Sequence, residues 1–380
     1  MITTATSLVV LLMMQQGGTM VHPEKPSANP PKVETTIAIP TTPPKPASPV
    51  VGNDPRTGKP VAKQGLGASD YAYTMPEGVT TKEIVYYSDG VPCYGKIFYP
   101  KGFDATQKTP AIVMGQGWAG SHVSIEKYAA AFARHGLVAM TIDYRGWGNS
   151  SGNVRLISPV DMGGGMEKDE TRHTIIKNAT VWVKRTRLDA ADQQEDYRNA
   201  ISFIQGEPGI DPDRIGVWGS SYAGGNSLAV AGQDARVKAI AIQIPGIGGD
   251  PTGLKPQTYS GQILQDAIKR ARTGQGAEMW TGYSRSLLID SEMLEANREN
   301  NTLQWAKNIG ERPFMVIVAE FDELINNTTA GKAAIDYARG PKEYIVVPGI
   351  THFEMYSGKP FEISSEAAAR WFKTHLMKSL

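Results

Sequence analysis

Residues 215–225 read Ile-Gly-Val-Trp-Gly-Ser-Ser-Tyr-Ala-Gly-Gly, a short apolar run that passes through small residues into a helix-compatible stretch. A chain that turns so abruptly from strand to helix brings the two elements almost into contact, so the residues flanking the turn must be small. That is the pattern of a nucleophile elbow, where a serine sits at the tip of a strained turn with small residues two before and two after it. Gly219 and Ala223 meet the requirement around Ser221. Ser220 would need small residues at 218 and 222, where Trp218 and Tyr222 stand, so the register selects Ser221. Taken alone, the stretch also fits an ordinary glycine-rich loop, and its context must decide.

The 380 residues, 41% hydrophobic and 20% charged, are enough for one large domain with embellishments or two small ones. Lys+Arg number 39 against Asp+Glu 38, a net charge of +1, so no field steers nucleic acid or anionic membrane to the surface. A small neutral substrate is the expectation. Cys93 is the only cysteine, which excludes an internal disulfide and a thiolate metal cluster and leaves packing in a strand as its role.

Residues 1–20 hold one apolar run, 8–14, too short to span a bilayer but of signal-peptide length. No Lys or Arg precedes Leu8 and no clean small-x-small cleavage site follows, so a leader and a mis-started N-terminus both stay open. Residues 23–60 are dominated by Pro, Thr, Lys, Ser and Ala, so 21–70 is expected to be a linker or disordered tail. A leader followed by such a tether favours a secreted or periplasmic protein over a cytoplasmic one. Oligomeric state is not encoded.

Strands and helices alternate beyond Tyr71. Residues 82–87 and 93–99 form strands around the hairpin turn Ser88-Asp89-Gly90. A buried strand at 111–114 ends in Gly115-Gln116-Gly117-Trp118-Ala119-Gly120, and Ser124 is expected to cap the helix that Gly136 stops. The strand 137–142 leads into Asp143-Tyr144-Arg145-Gly146-Trp147-Gly148. Residues 151–190 interrupt the alternation as an insertion; their run Gly163-Gly164-Gly165 lacks the Lys-Ser/Thr of a phosphate loop. A helix through Tyr197 and Ile204 then feeds the elbow strand, and 237–244 is another strand. Residues 245–312 carry helical patches with apolar residues such as Trp280 and Tyr283, expected as an inserted helical cap lining a substrate pocket or packing on itself. Strand Phe314–Ala319, a helix at 328–339, a strand at 344–347 and a final helix close the chain. The expected architecture is α/β, with a mostly parallel doubly wound sheet in two parts, 71–244 and 313–380, around the cap.

A serine nucleophile needs a base, and the base an orienting acid. His22 lies in the tail, His135 and His375 on amphipathic helices, and His173 in the insertion. His122 follows the glycine-rich loop but precedes the nucleophile. His352 stands in a loop after the last strand, where a histidine reaches an elbow serine. The acid belongs to the loop after Phe314–Ala319, and Asp322 is chosen over Glu320 and Glu323 because its distance from the strand end allows a turn back toward His352. Ser221, Asp322, His352 is the α/β-hydrolase chain order. An oxyanion needs two preorganised N–H donors. These are expected from the backbones of Tyr222 and Trp118, the Trp118 indole itself being as readily a core aromatic.

From about Val79 onward the chain resembles the α/β-hydrolase superfamily, in its dienelactone-hydrolase-like and X-prolyl-peptidase-like esterase branch. The matching pieces are Asp143-Tyr144-Arg145-Gly146-Trp147-Gly148, Gly219-Ser220-Ser221-Tyr222-Ala223-Gly224-Gly225, Asp234-Ala235-Arg236-Val237-Lys238-Ala239 and Gly349-Ile350-Thr351-His352-Phe353. Two positions depart from that pattern: Gln116-Gly117 where relatives commonly carry His-Gly, and Ala223 where many carry glycine. The resemblance implies a serine esterase acting on a small-molecule ester through an acyl-enzyme, with no metal or cofactor. An acyltransferase on the same triad is the alternative. A peptidase is disfavoured because no acidic residue to grip a free amino terminus can be assigned, and a silent binding module is disfavoured by the intact Ser, Asp and His.

Overall fold

The computed structural model describes residues 53–63, 65–118, 120–156, 166–168, 174–176, 180–185, 188–248, 261–273, 292, 296 and 300–377. His173 and the expected pocket-lining residues Trp280 and Tyr283 lie outside the described residues.

In chain order the strands are β1 (Thr80–Ser88), β2 (Val91–Tyr99), β3 (Thr109–Gly115), β4 (Val138–Ile142), β5 (Val154–Leu156), β6 (Met166–Lys168), β7 (Thr174–Ile176), β8 (Val181–Val183), β9 (Ile210–Ser220), β10 (Val237–Gln243), β11 (Phe314–Ala319) and β12 (Lys342–Val347). The helices are α1 (Ala68–Tyr71), α2 (Glu126–Arg134), α3 (Ala190–Gln205), α4 (Tyr222–Gln233), α5 (Gly261–Thr273), α6 (Ala333–Asp336) and α7 (Gly358–Leu376). Eight strands make the main sheet in the order β1-β2-β4-β3-β9-β10-β11-β12. β1 and β2 pair antiparallel, as do β2 and β4, and every later pairing is parallel. This is the α/β-hydrolase fold.

Alternation along each strand divides the core into two layers. Val113, Val217, Ile240 and Val316 pack under Tyr197 and Ile201 of α3, Leu228 of α4 and Ile335 of α6. Ile112, Trp218, Ala241 and Met315 face Tyr128 and Phe132 of α2 and Phe372 of α7. Because the side-chain period of a strand is two, neighbouring residues at the end of β9 look into opposite layers. That parity separates Ser220 from Ser221.

Local chemistry accounts for some of the element boundaries. The β1–β2 turn has Asp89 at φ +47° and Gly90 at φ +76°, the two positive values a tight hairpin needs. Asp189 caps α3 by accepting from the Asp192 N–H at 3.2 Å. Ser124 does not cap α2. It lies inside a 3-10 turn, His122–Ile125, with its hydroxyl donating to the Ser121 carbonyl at 2.7 Å, because the Asp143 carboxylate draws the His122 N–H inward just before it. The helix expected at 328–339 is divided into a π turn, Thr328–Lys332, and the short α6. Residues 151–190 contain two antiparallel ladders, β5 with β8 and β6 with β7.

The chain engages the core well before Tyr71. Val61 is buried, and the Arg56 guanidinium donates to the Gly349 carbonyl at 2.5 Å across a sequence gap of 293 residues. Among the described residues, no helix is long and apolar enough to cross a membrane.

Candidate active site

Strand β9 ends at Ser220 and α4 begins at Tyr222, leaving Ser221 alone in the turn at φ +56°, ψ −122°. A non-glycine residue with positive φ is strained, and such strain persists only where its surroundings impose it. Here the Ser221 N–H donates to the Gln243 carbonyl at 2.9 Å, while its own carbonyl accepts the N–H groups of Gly224 at 2.8 Å and Gly246 at 2.7 Å. A Cβ at position 219 would lie 2.2 Å from the Ala223 carbonyl oxygen and 2.4 Å from Ser227 Oγ. The need for a small residue there is therefore steric and absolute.

His352 Nε2 lies 3.0 Å from Ser221 Oγ, and His352 Nδ1 lies 2.8 Å from Asp322 Oδ2. The His352 and Asp322 side chains are 1% and 0% exposed. The other carboxylate oxygen, Asp322 Oδ1, accepts the N–H groups of Leu324 at 3.0 Å and Ile325 at 2.9 Å, which locks the acid in its own turn. The three residues nominated from sequence thus converge on one point from the ends of β9, β11 and β12.

Three acids, Glu320 and Glu323 beside Asp322 and Glu354 just after His352, hold the histidine loop by its backbone. Glu320 accepts the Gly349 N–H at 2.8 Å, Glu323 accepts the His352 N–H at 2.8 Å, and Glu354 accepts the Thr351 N–H at 2.7 Å. Sequence gave no sign of this, because a run of acids after a strand looks the same whether it binds side chains, backbone or water.

The loop after β3 passes directly over Ser221: a Cβ at Gly117 would be 3.2 Å from Ser221 Cβ and 3.7 Å from its Oγ. Tyr222 N–H is the first of α4, so no carbonyl of its own helix can accept it. Trp118 is not a core aromatic but 42% exposed, with its ring edge-on to Tyr222 at 5.6 Å and 85°. The Tyr222 hydroxyl is held by Gln193 Oε1 at 2.6 Å.

His122 is engaged by Asp143 and Tyr94. Its ring Nδ1 meets Asp143 Oδ2 at 2.8 Å, its backbone N–H donates to Asp143 Oδ1 at 2.7 Å, and its ring lies 4.5 Å from that of Tyr94. Asp143 also accepts the Asn149 N–H at 2.8 Å, and Gly148, at φ +47°, leaves room for it: a Cβ there would sit 2.2 Å from Asp143 Oδ2. Arg145 in the same motif reaches Asp196 at 2.7 Å and Glu195 at 2.7 Å. The segment that begins at Asp143 is a scaffold joining the far end of the 116–122 loop to α3.

A mostly parallel sheet with a strained serine between its central strand and a helix, and a histidine and carboxylate following in that order, defines an α/β-hydrolase. Residues 89–315 match the family described as X-Pro dipeptidyl-peptidase (S15 family), and the chain belongs to that family. It is 28% identical over 295 residues, 71% of this chain and 92% of the relative, to an uncharacterized 31.7 kDa protein in the traX-finO intergenic region of Escherichia coli. It is 27% identical over 201 residues, 52% of each chain, to thiohydrolase aneE of Aspergillus aculeatus. The crystal structure of the alpha/beta hydrolase GrgF from a Penicillium species shares the fold, with a TM-score of 0.53 at 22% identity, covering 79% of this chain and 99% of that one. The chain is an enzyme of the α/β-hydrolase type, hydrolytic or acyl-transferring.

Proposed function

We propose that the protein is a serine hydrolase that cleaves carboxylic esters through an acyl-enzyme. The observation that carries this reading is the continuous contact from Asp322 through His352 to Ser221, at 2.8 Å and 3.0 Å. Ser221 Oγ attacks the ester carbonyl carbon while His352 Nε2 takes its proton. Asp322 holds the Nδ1–H tautomer and stabilises the imidazolium that forms. The N–H groups of Tyr222 and Trp118 receive the oxyanion, with the N-terminal end of α4 adding its positive dipole. Collapse expels the alcohol, which His352 protonates, and a water activated by the same histidine releases the acid. The exposed Trp118 indole meets the Tyr222 ring edge-on, each next in sequence to a residue of the elbow contact, Gly117 and Ser221, which favours an apolar acyl or aryl group in the substrate.

Two other acyl donors are favoured by particular observations. The likeness to a thiohydrolase favours a thioester, and membership of a dipeptidyl-peptidase family favours an amide. Both would use the same residues. Turnover of p-nitrophenyl esters of graded chain length, of a matched thioester and of an X-Pro p-nitroanilide, by the native protein and by Ser221→Ala, tests the reading. Ester turnover is expected to exceed anilide turnover and to fall by about 10³ to 10⁶ in the variant. A variant that keeps more than a tenth of the activity contradicts the assignment of Ser221, and faster anilide turnover replaces the ester by an amide.

A further inference from the structure

Two consecutive residues of the elbow reach the same short segment of chain. Ser221 Oγ meets His352, as described, and Ser220 Oγ lies 2.7 Å from the hydroxyl of Tyr356, four residues further on. Ser220 is 0% exposed and Tyr356 3%. A buried hydroxyl is retained against its desolvation cost only if it is hydrogen-bonded, and a serine at this site is not needed for packing. Gln243 completes the arrangement: its side-chain Nε2 donates to Ser220 Oγ at 3.2 Å and to the Tyr128 hydroxyl at 3.0 Å, while its backbone carbonyl holds the Ser221 N–H.

We propose that Tyr356 and Ser220 are positioning residues that strap the histidine segment to the elbow and so set the Ser221 to His352 distance. The inference rests on the reading of Ser221 and His352 as nucleophile and base. Carboxylates already hold loop 348–352 by the N–H groups of Gly349, Thr351 and His352. Tyr356 adds a link that runs directly to the elbow, through the 3-10 turn Phe353–Tyr356 that follows the histidine. The Lys127 ammonium donates to the Tyr356 carbonyl and the Tyr128 ring packs edge-on against the Tyr356 ring at 6.4 Å, so Tyr356 is held by its backbone and by its ring. With the hydroxyl link gone, the ring still packs but the histidine gains freedom along the reaction coordinate, where a displacement near 1 Å costs on the order of 10²-fold in rate.

The test compares Tyr356→Phe, Ser220→Ala and the double variant with the native protein, using kcat and KM for the best ester together with thermal unfolding. Each single variant is expected to lose about 10-fold in kcat with KM changed by less than about 2-fold, and the double variant to be no worse than the poorer single, because both remove one link. A kcat within about 2-fold of native in either folded single variant overturns the proposal, as do losses that multiply in the double variant. Ser220→Ala, a smaller change, carries the test if Tyr356→Phe does not fold. Ser221→Ala run in parallel separates the two claims. If it stays active, the reading of the site falls; if it is inactive while the strap variants are unimpaired, only the strap falls.

Discussion

The Glu323 carboxylate accepts the backbone N–H of His352 at 2.8 Å, while its neighbour Asp322 takes the imidazole Nδ1 at the same distance. Adjacent acids on one loop thus hold His352 by its main chain and by its ring. These roles differ in chemistry, so their variants should differ in kind.

Asp322→Asn is expected to lower kcat by about 10³ to 10⁴, since an amide cannot hold the required tautomer or stabilise the imidazolium. Glu323→Ala should cost only about 10-fold, and Glu323→Gln, which keeps an acceptor oxygen, should recover most of that loss. Steady-state kinetics on folded variants check both. Equal losses at the two positions would contradict the division of labour.

Gly219→Ala is expected to destabilise the fold by about 3 kcal/mol or more, because its methyl would fall 2.2 Å from the Ala223 carbonyl oxygen, which is fixed backbone. Gly102→Ala is the control. Its φ is +74° but nothing lies within 4 Å of the added Cβ, so the cost should be only the roughly 1–2 kcal/mol of a left-handed backbone. Urea midpoints of the two variants check the ordering.

Lys127 is 5% exposed, and burial pushes its ammonium down to about 8, partly opposed by the Asp70 carboxylate. The free side chain titrates near 10.5. Between those values the unfolded chain binds a proton that the folded chain does not, so the Lys127 contribution makes stability rise with pH across this window and leaves it flat below about 8. Comparing urea midpoints of the native protein and Lys127→Met from pH 7 to pH 10 should show the native protein gaining relative to the variant. A difference that is constant or shrinks over that range would contradict the expectation.

Burial also pushes the Cys93 thiol up to about 12 in a strand where it is 0% exposed. The native protein should not react with a disulfide reagent at pH 8, and one thiol per chain should react in guanidinium. Rapid labelling of the native protein would show that β2 opens locally.

The parts of this molecule legible in its sequence are those where local chemistry leaves one choice. Gly219 and Ala223 fixed the register of the elbow because a strand and a helix cannot otherwise meet there. Asp89-Gly90 supplied the two positive φ angles of the hairpin. Ser221, Asp322 and His352 could be nominated because each follows a strand whose carboxyl end points to the same edge. What stayed hidden depends on partners distant in the chain. Ser124 has the right type for a cap, yet it lies inside a 3-10 turn whose first residue, His122, is bound by Asp143. Arg56 lies in a proline-rich stretch that resembles a tether, and its anchor is the Gly349 carbonyl. Ser220 has the wrong register for chemistry, and its partners, Tyr356 and Gln243, come from distant parts of the chain.

The central claim is that Ser221 is an activated nucleophile. Labelling the native protein with a fluorophosphonate and mapping the adduct by peptide mass spectrometry tests it directly. The account predicts a single phosphonyl group on Ser221, loss of ester turnover in proportion to labelling, no adduct in Ser221→Ala and slowed labelling in His352→Ala. An adduct on any other residue, or full esterase activity in protein labelled to completion, would contradict it.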